Sequence, residues 1–188
     1  MRSFDQRSHS YLGYSLFLSG EVLENKCEFS IGIGKAAYQK HQFQIGYEVS
    51  GQSLRVQDER MEPVGFYKTS KLLVLNRAEE TDQTPPYHGV AISLEEYRER
   101  GHRRLSARTY DTKCRDCIWG CRMPVVLIID QWQPHIKKYR FETFCYGPKA
   151  CKLYSAGPTR IVPGRQGMSW EEPDWVDEEA TAHRSEDE

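Results

Sequence analysis

Five of the six cysteines stand late in the chain, as Cys114-x2-Cys117-x3-Cys121 and, after 23 further residues, Cys145-x5-Cys151. Three thiols within eight residues make poor core filler. Thiolates are strong soft ligands, and four of them hold Zn²⁺ tetrahedrally or carry the irons of a cubane. The pattern therefore demands a fold that brings two separated segments to one point. Disulfides are the competing use, but no export signal is evident and Cys114 lies too close to Cys117 for an ordinary structural loop. A redox Cys-x-x-Cys would want a βαβ context, which the flanking sequence does not offer.

The segment between the clusters supplies the means of convergence. Pro124 to Gln131 reads as a strand, Trp132 to His135 as a turn, and Lys137 to Tyr146 as a returning strand. A hairpin centred near Gln133 pairs Cys121 with Cys145 and delivers both to its open end. Two ligand sets follow from the cysteines Cys114, Cys117, Cys121, Cys145 and Cys151, of which four are needed. A [4Fe-4S] cluster would take three ligands from the first loop and one from Cys145 or Cys151, giving Cys121 a role, and this set is slightly preferred. Zn²⁺ would take the pairs Cys114, Cys117 and Cys145, Cys151, leaving Cys121 as a buried thiol.

Upstream, residues 13 to 76 alternate as strands do: Cys27, Phe29, Ile31 and Ile33 share one face, and Ser15–Leu23, Gln42–Val49 and Phe66–Leu75 are further candidates. Short strands at this spacing predict a mainly β chain opening with a small OB-like or SH3-like barrel. Cys27, far from the other thiols, is expected to be a buried small hydrophobe. Ser93-Leu94-Glu95-Glu96 is a capping box that starts one short helix ending at Gly101. The expected organisation is a barrel over 1–77, a linker over 78–92 containing Pro85 and Pro86, a cysteine-held hairpin module over 93–168 and an acidic tail over 169–188.

Charge sharpens the division. From Arg98 to Arg165 there are 15 Lys and Arg against 5 acidic residues, while Glu171 to Glu188 carries 9 acidic residues against Arg184. Cations interleave with rings around the cysteines: Arg103, Arg104, Arg108, Tyr110, Lys113, Arg115, Trp119 and Arg122, then Lys137, Lys138, Tyr139, Arg140 and Phe141. Such mixtures bind single-stranded nucleic acid or another anionic partner, because cations neutralise phosphates while rings stack on bases. The acidic stretch, with Trp170 and Trp175, could compete for that face.

Several readings fall away. The longest apolar run, Val125 to Ile129, is far short of a membrane span, and Arg2 and Arg7 precede no convincing signal segment, so a cytoplasmic protein without a membrane partner is expected. Gly32-Ile33-Gly34-Lys35 lacks the frame of a phosphate loop. His88, His102 and His135 accompany no nucleophile at recognisable spacing, so no enzyme is indicated.

The stretches Cys114-Arg115-Asp116-Cys117-Ile118-Trp119-Gly120-Cys121-Arg122-Met123-Pro124, Arg140 to Pro148, and Trp170 to Ala180 together resemble a family of uncharacterised bacterial proteins that join an OB-like half to a cysteine-cluster half. The resemblance implies no activity; it implies that these segments form one linked unit. The functional expectation is a metal-binding protein whose metal is structural and whose basic face binds nucleic acid or an anionic partner. The other class is an iron–sulfur electron-transfer protein.

Overall fold

The structure, a computed structural model, describes residues 11–78, 84–172 and 175–185. Expectations resting on Arg2, Arg7, residues 79–83 of the linker, Asp174 and the Trp175 ring lie outside the described residues. The chain is mainly β, with sheets of four and three strands and a two-stranded ribbon.

β1 (Tyr14–Val22) and β2 (Asn25–Ile33) form an unbroken antiparallel hairpin. Its turn residues, Leu23 and Glu24, have φ of 48° and 68°, the left-handed pair that a two-residue hairpin loop requires, here met without Gly or Asn. The helix α1 (Lys35–His41) follows, so the strand expected at Gln42 begins only at Glu48. β3 (Glu48–Arg55) then pairs with β4 (Phe66–Asn76) through a bulged register. One parallel bridge, Ile31 to Phe66, joins the two hairpins. The order β1-β2-β4-β3 leaves β1 and β3 at the edges. Among the described residues the ladder is thus an open sheet; the barrel expected from strand spacing is not closed by hydrogen bonds. Its core is Ile31, Ile33, Tyr38, Phe43 and Leu72.

Cys27 departs from expectation. It pairs with Gly20 near the hairpin tip and is exposed. The apolar alternation of β2 is buried only at Ile31 and Ile33, while Cys27 lies beyond the point where β4 joins.

The second half opens with α2 (Leu94–Arg100), started by the complete capping box: Ser93 Oγ accepts from Glu96 N–H at 3.2 Å and Glu96 Oε2 from Ser93 N–H at 2.9 Å. The expected helix is borne out to its end at Gly101, a position where φ is +68° and a Cβ would meet Ala180 O at 1.9 Å. β5 (Arg103–Arg104) precedes a helical turn, α3 (Ala107–Thr109), which widens into a π-helical turn over Tyr110–Cys114. β6 (Gly120–Ile128) and β7 (Lys137–Cys145) make the central hairpin, and the sheet order is β5-β7-β6. Five consecutive residues of β6, Met123 to Leu127, are buried.

The segment expected to be an acidic tail is structured in part. Its first residues form β9 (Ser169–Glu172), paired with β8 (Arg160–Pro163), and α4 (Trp175–Thr181) follows. Two of its carboxylates enter an ion network with basic partners from the module. Arg160 reaches Glu142 at 3.0 Å and Glu172 at 2.9 Å, and Arg104 reaches Asp177 at 2.6 Å. These side chains are about nine-tenths buried, so removing Arg160 or Arg104 would leave buried carboxylates short of countercharge. The halves of the chain also touch: Lys35 pairs with Glu95, Arg115 lies 3.3 Å from Glu28, and Tyr14, stacked on Tyr38 at 4.1 Å, donates from its Oη to Ile92 O at 2.9 Å in the connecting segment.

Candidate metal centre

Cys114 closes the π-helical turn, and the chain then folds tightly back. Cys117 N–H donates to Cys114 O at 3.2 Å and Gly120 N–H to Cys117 O at 3.0 Å. Gly120 is needed for this return, because a Cβ there would stand 2.2 Å from Cys114 O. The second pair is shaped similarly. Cys145 ends β7, Gly147 N–H donates to Cys145 Sγ at 3.4 Å, Cys151 N–H to Pro148 O at 3.2 Å, and Tyr154 N–H to Cys151 O at 3.1 Å.

The β6–β7 register decides which thiols meet. Gly120 pairs with Cys145, and Cys121 with Phe144. This is one residue away from the expected pairing of Cys121 with Cys145, and in a strand a one-residue slip sends a side chain to the opposite face. Cys121 therefore joins Met123, Phe144 and Tyr146 on one face, while Cys114 and Cys145 pack with Leu105 and Tyr110, with Cys117 beside them, on the other.

Cys114, Cys117, Cys145 and Cys151 line a single cavity of about 10 Å³, closed by Pro85, Pro86, Tyr87, Trp119 and Tyr154. Cys121 does not reach it and lines a larger cavity of about 430 Å³ beside β1, whose wall shares Cys117 and Gly120 with the smaller one. The four thiols feel one another. Burial first, then the neighbouring Cys117, Cys145 and Cys151, push the Cys114 thiol up to about 11. Burial also raises Cys117, opposed by hydrogen bonds from the backbone of Trp119, Tyr87 and Gly120. Cys145 is raised by burial and drawn back by Gly147 N–H and the Arg103 guanidinium. As the side chains stand, no group of three or more His, Cys, Asp or Glu among the described residues is set to hold an ion; the thiols surround the cavity without being preset in coordination geometry.

Arg103 braces the second cysteine pair. It donates to Pro148 O at 2.9 Å and Lys149 O at 3.3 Å, with its guanidinium 3.9 Å from the Tyr154 ring centroid. Tyr87 braces the first, its carbonyl accepting from Ile118 N–H at 2.9 Å. Sequence reasoning missed both; the Cys-x2-Cys-x2-Gly spacing was the available sign of a tight knuckle.

The cations expected to bind nucleic acid are spread over several surroundings. Arg104 is buried against Asp177, Arg140 is ion-paired with Glu142 on β7, and Arg103 serves the cysteine loop. Arg115 reaches Glu28 at 3.3 Å and lies over Phe17; Arg122 lies 4.3 Å from the Phe141 centroid. Trp119 is half-buried between Arg100 and Tyr97. Arg108, Lys113, Lys137 and Lys138 are exposed, the last two beside the tip of the β6–β7 hairpin.

No protein-family model matches the chain, and no curated protein and no solved structure is detectably similar to it.

Proposed function

We propose that Cys114, Cys117, Cys145 and Cys151 hold one Zn²⁺ as a structural centre, and that the protein works as a metal-held binding module in a reducing, cytoplasmic setting. One observation carries this reading: two cysteine pairs from distant segments line one cavity of about 10 Å³, room for a body the size of a single ion or water. A cubane is larger and would call on Cys121, whose strand register turns it to the other face. The donor set suits zinc, since two thiolate pairs on tight knuckles satisfy a tetrahedral d¹⁰ ion. Bound Zn²⁺ would supply a positive charge that keeps all four sulfurs ionised, and it would fasten the β7 end to the turn before β6.

The test is metal analysis of the full chain purified without air or chelator. One zinc per chain in a colourless protein is the expected result, lost in Cys114→Ser and Cys145→Ser and kept in Cys121→Ser. A brown protein containing iron, bleached by dithionite, would overturn the zinc reading in favour of electron transfer. Loss of metal from Cys121→Ser would overturn the ligand set.

A further inference from the structure

The β6–β7 and β8–β9 hairpins meet at their tips. Asp130, buried, accepts from Trp132 N–H at 2.9 Å and lies 3.2 Å from the Arg165 guanidinium. That guanidinium sits 5.6 Å from the Trp132 ring centroid. Trp170 is set against Gly164, where a Cβ would come within 2.8 Å of the indole. Two indoles are thus carried on regular hairpins, and yet Trp132 remains 82% and Trp170 55% exposed. Folding gains little from rings left in water, so their placement calls for a partner.

The charge at this end names the partner's sign. Residues 128–138 and 161–171 contain three Lys and Arg, namely Lys137, Lys138 and Arg165, against two acids, Asp130 and Glu171. Asp130 is already matched by Arg165. Lys137 and Lys138 are successive residues of β7 and point to opposite faces of the hairpin, so each face of the hairpin carries a cation near its tip.

We infer that this double tip is a binding platform for single-stranded nucleic acid, with Trp132 and Trp170 stacking on bases and Lys137 and Lys138 meeting phosphates. Flat rings interleaved with cations are the features by which single strands are held without sequence preference. An anionic membrane surface would use the same cations. The platform favours the strand because the Arg165 guanidinium backs the Trp132 ring, making a layered stack that a base extends. The inference rests on the zinc reading only in that the metal secures the far end of the β6–β7 hairpin.

The experiment is fluorescence anisotropy of a labelled oligothymidine and an oligouridine with the full-length, metal-replete protein, beside vesicles containing anionic lipid. Binding to both oligonucleotides at low salt is expected, whereas a preference for one would identify RNA or DNA as the natural strand. Trp132→Ala should weaken binding roughly 5- to 100-fold, the range for loss of one stacked base. Lys137→Ala and Lys138→Ala should each flatten the dependence of log K on log salt by about 0.7. Three outcomes would overturn the platform: no oligonucleotide binding at low salt, binding that ignores all three substitutions, or capture by vesicles alone. Zinc content measured on the same samples keeps the two readings apart. A zinc-free protein whose binding still responds to Trp132→Ala leaves the platform standing and removes the metal.

Discussion

Gly120→Ala probes the packing of the first knuckle directly. The added methyl would stand 2.2 Å from Cys114 O, 3.2 Å from Cys114 C and 3.4 Å from Cys114 Cβ. An ordinary contact is about 3.4 Å or more, so the two segments must part by roughly 1 Å. What must move is backbone. Gly120 is also fixed by its own hydrogen bond to Cys117 O and by pairing with Cys145. Overpacking of this kind costs about 1–3 kcal/mol, which for a chain of this size lowers Tm by roughly 3–10 °C. Cys114 would be displaced with its carbonyl, so zinc should also be surrendered sooner to a chromogenic chelator. Gly89→Ala is the control, because a Cβ there meets nothing within 4 Å and the substitution stiffens the unfolded chain. Thermal melts and chelator competition on both variants decide the matter. If Gly120→Ala melts and releases metal like Gly89→Ala, the close approach that shapes the knuckle is wrong.

Arg103→Ala should weaken zinc retention about 10- to 100-fold, as loss of a group bracing a metal ligand does, whereas Arg104→Ala should cost roughly 3 kcal/mol of stability by taking from the buried Asp177 its partner at 2.6 Å and leave zinc stoichiometry unchanged; chelator titration and urea melts separate the two. His102, packed edge-on against Phe144 at 5.0 Å, is lowered to about 4, chiefly by burial, with Asp177 opposing and Arg160 reinforcing. Because the unfolded chain takes up that proton near pH 6.5 and the folded chain does not, the stability is whole above about pH 6.5 and is lost as pH falls toward 4, roughly 3 kcal/mol in all. His102→Phe should flatten that part of a plot of urea midpoint against pH, and an unchanged slope would refute the assignment. Replacing Leu23 and Glu24 by Asn and Gly should raise stability by about 1 kcal/mol in a urea melt, since both positions have positive φ and Asn-Gly adopts it readily.

The legible features were those set by residues near one another in sequence. The capping box at Ser93 and Glu96 fixed a helix because its hydrogen bonds close within one turn. The apolar alternation of β1 and β2, the long strand from Phe66, and the hairpin around Trp132 to His135 were likewise readable, as local periodicity records which side of a strand is covered. Cys114 and Cys117 belong here too, since a Cys-x2-Cys spacing closes a knuckle whatever surrounds it.

What the sequence left open depended on distances between elements. Hairpin arithmetic placed Cys121 opposite Cys145 to within one residue, but one residue is half a period of a strand, and the true pairing of Gly120 with Cys145 sends Cys121 to the other face. Cys27 kept the right alternation and still met water, because alternation marks a face without saying how far a second layer extends over it. The acidic stretch read as a tail set apart from the module, yet Glu172 and Asp177 are drawn inward by Arg160 and Arg104, cations whose own positions are fixed on β8 and β5. Local pattern settled the positions of the thiols along the chain, the hairpin that brings them together and the sign of the charge; only the tertiary structure decided which four sulfurs share a cavity and which cations are exposed, because burial and pairing are properties of neighbours that the chain supplies from far away.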